Sequence, residues 1–82
     1  MIRVNVRLFA AAREIVGRGE TVMFLPAGST PLTVLQSLFE EYPLLREWNR
    51  HLRVAVNCDY VALSSILNEN DELAIIPPVS GG

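Results

Sequence analysis

The final six residues contain the group most able to take part in chemistry. They read Pro77-Pro78-Val79-Ser80-Gly81-Gly82. Prolines stiffen a backbone, and glycines allow it to enter a channel too narrow for a Cβ atom. The α-carboxylate of Gly82 needs no side chain to react, so we expect Gly82, supported by Gly81, to be the reactive end of the chain. The alternative is an ordinary frayed terminus, because disorder concentrates at chain ends.

Other reactive side chains are scarce. The sequence has one cysteine, Cys58, and one histidine, His51. A lone cysteine forms neither an internal disulfide nor a cysteine-based metal site, which suits a reducing cytoplasm. No pair of metal ligands has a recognisable spacing, so we expect no bound metal and no bound cofactor.

Composition limits the classes of function. The 82 residues carry a net charge of −2 and are 50% hydrophobic, which indicates one globular domain with a modest core. No apolar run is long enough to cross a bilayer and no leader precedes the first strand, so a cytoplasmic protein is expected. The arginines are scattered, which argues against a nucleic-acid partner. Lysine is absent, so an activated carboxyl terminus would find no side-chain amine on its own chain.

Hydrophobic periodicity predicts five strands and one main helix. Alternation of apolar and polar residues places the first strand at 2–9, and Val54 and Val56 share one face of a strand at 53–57. Further strands are predicted at 20–25, 61–63 and 72–76. A short helix is predicted at 10–16, ended by Gly17. The main helix is predicted at 32–42, with Thr30 as its cap and Pro31 at its first position. Its expected buried stripe consists of Leu32, Leu35, Leu38 and Phe39.

This order of elements predicts an α+β fold in which one main helix packs on one face of a mixed sheet. The first and last strands are the most apolar, so we expect them to lie side by side at the centre. Residues 1–76 are then the domain, and residues 77–82 an extended, flexible C-terminal tail. Fully extended, such a tail reaches roughly 20 Å.

A small apolar patch is predicted beside the start of this tail. Phe9 falls on the polar face of the first strand, and Ile76 falls opposite Leu73 and Ile75 on the last strand. If the two strands are neighbours, Phe9 and Ile76 meet on the face away from the helix, with Tyr60 in a nearby turn. Exposed apolar patches often mark protein contacts. The alternative is that Phe9 only covers the edge of the core.

Three blocks of sequence resemble the MoaD-type sulfur-carrier family, the small subunits of molybdopterin synthase. The blocks are Phe9-Ala10-Ala11-Ala12-Arg13-Glu14-Ile15-Val16-Gly17, Val54-Ala55-Val56-Asn57, and the run from Asn70-Asp71-Glu72 to the final Gly81-Gly82. They occur in the family's order, and the likeness covers essentially the whole chain. One departure is Asn70, because the family commonly has a glycine in the turn before Asp71. Asparagine tolerates a positive φ, so we expect the turn to be kept.

The resemblance implies a ubiquitin-like β-grasp fold and a two-stage role. A MoeB-type adenylyltransferase, the nucleotide-binding partner, would use ATP to adenylylate Gly82, and a sulfur donor would convert the adenylate to a thiocarboxylate. The tail would then enter the MoaE-type large subunit of the synthase. There, sulfur would pass to cyclic pyranopterin monophosphate and form the molybdopterin dithiolene of the molybdenum cofactor. The chain would not be catalytic alone.

The resemblance also implies that partners bind the sheet face and the tail. The expected partner-binding residues are Phe9, Tyr60, Ile76, Pro77, Pro78, Val79, Ser80 and Arg13, although Arg13 also fits an ordinary surface charge. Three other functions remain open: a carrier for thiamine or cysteine synthesis, a ubiquitin-like modifier joined to lysines, and a plain interaction domain.

Overall fold

A computed structural model describes residues 1–78, which form five strands and three helices. In chain order the elements are β1 (Ile2–Leu8), α1 (Ala10–Val16), β2 (Glu20–Leu25), α2 (Pro31–Glu41), α3 (Pro43–Arg46), β3 (Arg53–Val56), β4 (Asp59–Tyr60) and β5 (Glu72–Ile76). The predicted bounds of α1, β2 and β5 are confirmed.

The strands form one mixed sheet in the order β2-β1-β5-β3-β4. Strands β1 and β5 are parallel, and the other neighbouring pairs are antiparallel. The first and last strands are therefore neighbours inside the sheet, as predicted. A mixed sheet with its helices on one face confirms the α+β class and the β-grasp architecture. No helix within residues 1–78 is long and apolar enough to cross a membrane.

One core lies between the sheet and the helices. Val4, Val6 and Leu8 of β1 and Leu73 and Ile75 of β5 point into it, and each is at most 2% exposed. The helices add Ala12, Val16, Val34, Leu35, Leu38 and Leu45. The residues between these along each strand point to the opposite face of the sheet, which no helix of residues 1–78 covers.

The main helix begins as predicted, but its buried stripe has a different phase. The Thr30 hydroxyl accepts a hydrogen bond from the Thr33 amide, and Pro31 occupies the first turn. The buried residues are Pro31, Val34, Leu35 and Leu38. Leu32 was predicted to be buried and is 43% exposed. It lies on the flank of the stripe, about 110° from its centre at roughly 100° per residue, and Phe39, on the same flank, is half-buried.

The edge strand differs from the prediction. Residues 61–63 were expected to form it, whereas the observed strand is β4 at Asp59–Tyr60. Asn57 and Cys58 both have positive φ, 50° and 75°, so they make a two-residue hairpin turn. Pairing with β3 therefore resumes at once, and Val56 lies opposite Asp59.

A hydrogen-bonded turn fixes the start of β5. The Asp71 side chain accepts from the Asn68 amide at 2.8 Å and from Asn57 Nδ2 at 3.0 Å. The Glu72 amide donates to Asn57 Oδ1 at 3.0 Å. Asn70 has φ 67°, which confirms the expectation that asparagine replaces glycine in this turn. These bonds tie β3 to β5 and so set the position of everything that follows β5.

Two leucines of α2 give a matched test of this packing. Leu38→Ala is expected to lower the free energy of unfolding by about 2–5 kcal/mol, because Leu38 is 3% exposed in the core. Leu32→Ala, in the same helix, is expected to change it by less than about 1 kcal/mol. Urea unfolding followed by circular dichroism measures both. Equal losses would contradict the assignment of the buried stripe.

Candidate functional site

The sheet face opposite the helices carries an apolar strip at the end where the chain leaves the domain. Cross-strand register places its members side by side: Ala74 of β5 pairs with Ala55 of β3, and Ala55 pairs with Tyr60 of β4. Leu8 pairs with Ile75 on the core face, so the next residues, Phe9 and Ile76, are neighbours on the open face. We call Phe9, Ala55, Tyr60, Ala74 and Ile76 the apolar strip.

Phe9 is held on the open face by its backbone. It is extended, with φ −120° and ψ 155°, and its amide donates to the Ile75 carbonyl at 3.3 Å. The next residue, Ala10, has φ 49°, so the chain turns sharply into α1 immediately after Phe9. Left-handed backbone costs a non-glycine residue about 1–2 kcal/mol. The ring of Phe9 is 40% exposed and lies under the Arg7 guanidinium, 5.6 Å from its centroid.

The other two predicted patch residues also lie on the apolar strip. Ile76 is half-buried between Phe9 and its cross-strand partner Arg53. Tyr60 is 67% exposed, and it lies in β4 rather than in the predicted turn. The small Ala55 and Ala74 form the floor between these larger side chains. The sheet thus brings together three residues that are far apart in sequence.

The exit of the chain differs from the predicted tail in one respect. Pro77 was expected to start an extended tail and to contact partners, but its side chain is less than 2% exposed. It continues the alternation of β5, so it points to the core side and anchors the exit rather than offering a surface. Pro78 is exposed. The remaining predicted site residues, Val79, Ser80, Gly81 and Gly82, lie outside the described residues.

Arg13 lies on the exposed face of α1, at the side of the apolar strip. It lines a cavity of about 370 Å³ together with Arg7, Phe9 and Glu20. Its guanidinium covers Gly19, where an added Cβ would lie 3.5 Å from Arg13 Cζ. Within residues 1–78 no group of three or more His, Cys, Asp or Glu side chains is placed to hold a metal ion. The described part of the site is an open sheet face on which Phe9 and Tyr60 are exposed.

Two arginines of the site were missed at the level of sequence. Arg7 pairs across the sheet with Ala74, and Arg53 pairs with Ile76. Both are exposed on the open face. Their place beside the apolar strip depends on the register between strands, which alternation within a single strand does not specify.

Sequence similarity to known proteins covers nearly the whole chain, including residues 79–82. The profile of the ThiS family matches residues 6–82. The chain is 41% identical over 81 residues to the molybdopterin synthase sulfur carrier subunit of Arabidopsis thaliana, covering 99% of this chain and 84% of that protein. The match to the family includes Gly82 and every residue of the apolar strip.

Two solved structures have the same fold. The small archaeal modifier protein 1 of Methanosarcina acetivorans is 30% identical with a TM-score of 0.80, over 100% of this chain and 98% of that one. A chain in the protein-protein complex of subunits 1 and 2 of the molybdopterin-converting factor from Helicobacter pylori is 24% identical with a TM-score of 0.68, over 99% of this chain and 100% of that one. The second comparison establishes the fold alone.

Proposed function

Because this chain belongs to the ThiS family, we propose that it is the sulfur-carrier subunit of a molybdopterin synthase and that Gly82 carries the sulfur. The observation that carries the proposal is 41% identity, along 99% of the chain, to a relative of that name. The family match runs through residue 82, so it includes the glycine that would react.

The proposed chemistry uses the Gly82 carboxylate as a carrier rather than as an acid or base. A carboxylate is a poor acyl donor, so an activating enzyme of the adenylyltransferase class joins it to AMP, consuming ATP and releasing pyrophosphate. A sulfur donor then displaces AMP and leaves a thiocarboxylate, whose sulfur is a soft nucleophile at neutral pH. Acid, base and oxyanion-binding groups come from the partners. The lone cysteine, Cys58, fits a cytoplasmic setting for this chemistry.

The proposed partner at the second stage is the large subunit of the synthase, where the sulfur passes to cyclic pyranopterin monophosphate. The apolar strip supports a docking role because Phe9 and Tyr60 keep 40% and 67% of their surface exposed. The buried Pro77 fixes where the chain leaves the sheet, so docking of the strip also aims the following residues. The similar fold in a two-subunit complex is consistent with this arrangement.

Intact mass spectrometry tests the proposal directly. Incubation with ATP, the activating enzyme and a sulfur donor is expected to raise the mass of the chain by about 16 Da, as sulfur replaces oxygen. Omission of ATP is the control and should leave the mass unchanged. An unchanged mass in the complete mixture, with active partners, would contradict the role of sulfur carrier.

A second candidate function is a ubiquitin-like modifier, favoured by the 30% identity to the archaeal modifier protein. It would use the same tail and the same activation, but the acceptor would be a lysine amine on another protein. The two functions give different products in the same mixture supplemented with cell extract. A modifier yields adducts enlarged by about the 9.1 kDa mass of the chain, whereas a sulfur carrier yields a thiocarboxylate.

A further inference from the structure

Two arginines stand on either side of the central strand of the apolar strip. Arg7 belongs to β1 and Arg53 to β3, and β5 lies between these strands. Arg7 lies level with Ala74 and Arg53 with Ile76, so two strand spacings and this two-residue offset put their Cα atoms roughly 12 Å apart across β5. Both side chains are exposed on the open face, beside the residues proposed to dock. A partner that covers the strip must therefore also cover or border two guanidinium groups.

The two arginines differ in how their charge is compensated. Arg7 Nη1 lies 3.9 Å from Glu72 Oε2, and both side chains are partly exposed, at 45% and 39%. Glu20 is the cross-strand neighbour of Arg7 on β2. Arg53, in contrast, has no carboxylate within 4.0 Å among residues 1–78. Although the whole chain carries a net charge of −2, the uncompensated charge that residues 1–78 place at the apolar strip is positive.

We propose that the apolar strip selects a partner surface that carries a carboxylate facing Arg53. The inference rests on the proposed function, because the occupant is the large subunit of the synthase. Docking removes water from Arg53 beside Ile76, and an unpaired guanidinium would then lose its hydration without replacement. A facing carboxylate replaces the lost water by accepting two parallel hydrogen bonds from the guanidinium, an arrangement that guanidinium geometry favours. Arg53 thus rejects apolar surfaces that lack an acidic group.

Glu72 competes with the partner's carboxylate for the positive charge of the open face. Its carboxylate partly neutralises Arg7 and repels an acidic group that approaches the strip. Removing this charge raises the positive potential of the open face without touching the core. Replacement of Glu72 by glutamine should therefore strengthen docking, an effect that a purely structural role of Glu72 does not produce.

Titration of the full chain with the purified large subunit tests the inference at about 50 and 300 mM NaCl, on either side of physiological screening. Arg53→Glu is expected to raise Kd about tenfold at low salt and by less at high salt. Glu72→Gln is expected to lower Kd about twofold at low salt. Arg46→Glu is the matched control: it makes the same charge change on exposed α3, on the helix side, and should stay within about twofold.

The outcomes separate the inference from the proposed function. If Phe9→Ala weakens binding while Arg53→Glu behaves like Arg46→Glu, the strip docks without an acidic contact, so the inference is wrong and the proposed function stands. Tighter binding of Arg53→Glu, or a stable dimer of the chain through this face in sedimentation, also overturns the inference. A wild-type chain that acquires no thiocarboxylate and does not bind the large subunit overturns both. Circular dichroism checks that each variant is folded.

Discussion

Deletion of Gly82 is expected to abolish sulfur transfer while leaving the fold unchanged. The deletion shortens the chain by about 3.5 Å, and reacting atoms must approach within about 3–3.5 Å of each other. The terminal carbonyl would then fall short in both proposed partners, the activating enzyme and the large subunit. Since a misplacement of about 1 Å can cost a hundredfold in rate, we expect dithiolene formation to fall by at least about that factor.

The measurement is formation of the pterin dithiolene with the large subunit, the activating enzyme, a sulfur source and ATP. Two controls accompany it. The free energy of unfolding should change by less than about 0.5 kcal/mol, because the core residues found within 1–78, from Val4 to Ile75 together with the buried Pro77, are all retained. Binding to the large subunit should persist, because the apolar strip is intact. Product at the wild-type rate would mean that Gly82 does not carry the sulfur.

Those elements that local physics determines were predictable from sequence. Strand β1 follows from period-two alternation, and α1 ends where Gly17 takes φ 90°. The start of α2 follows from Thr30 and Pro31, whose side chain and ring favour a first helical turn. Each of these signals acts over a few residues, so the sequence contains it directly.

The errors of the sequence-based prediction arise where contacts between distant parts of the chain determine the structure. The edge strand β4 depends on the hairpin turn before it, which is made by two non-glycine residues with positive φ, Asn57 and Cys58. A search for turns that contain glycine does not find it. The exposure of Leu32 depends on how α2 lies across the sheet rather than on helical spacing. The burial of Pro77 depends on the core that it enters. The sequence Pro77-Pro78 gives no reason to expect one proline to be buried and the other exposed.

In the candidate site, too, some residues could be predicted from local sequence and others only from the arrangement of the strands. Phe9 and Ile76 were predicted to meet because each falls out of phase with the apolar side of its own strand. Arg53 joins them only through the antiparallel register of β3 with β5, where it faces Ile76. That register is supported by the hydrogen bonds of Asn57 with Asp71 and with the Glu72 amide, at sequence separations of 14 and 15 residues. Alternation therefore finds the apolar members of the site, whereas its charged members require the sheet.

Substitution of Gly81 by a large residue is expected to block the same reaction by a different route. Gly81→Leu keeps the length of the chain but adds a Cβ and a side chain. Under the proposed function, the channels of both partners admit bare backbone, so the added atoms would collide with their walls. We expect dithiolene formation to fall at least about a hundredfold for Gly81→Leu and less for Gly81→Ala, because loss of rate should follow the added volume.

Two readouts locate the block caused by Gly81→Leu. The intact mass after incubation with ATP, the activating enzyme and a sulfur donor reports the first stage. Dithiolene formation from chain that already carries the thiocarboxylate, prepared chemically, reports the second. The free energy of unfolding should match that of the wild type, because the core residues found within 1–78 are all unchanged. If Gly81→Leu supports both stages at the wild-type rate, neither partner requires a bare backbone at this position, and the proposed role of Gly81 is wrong.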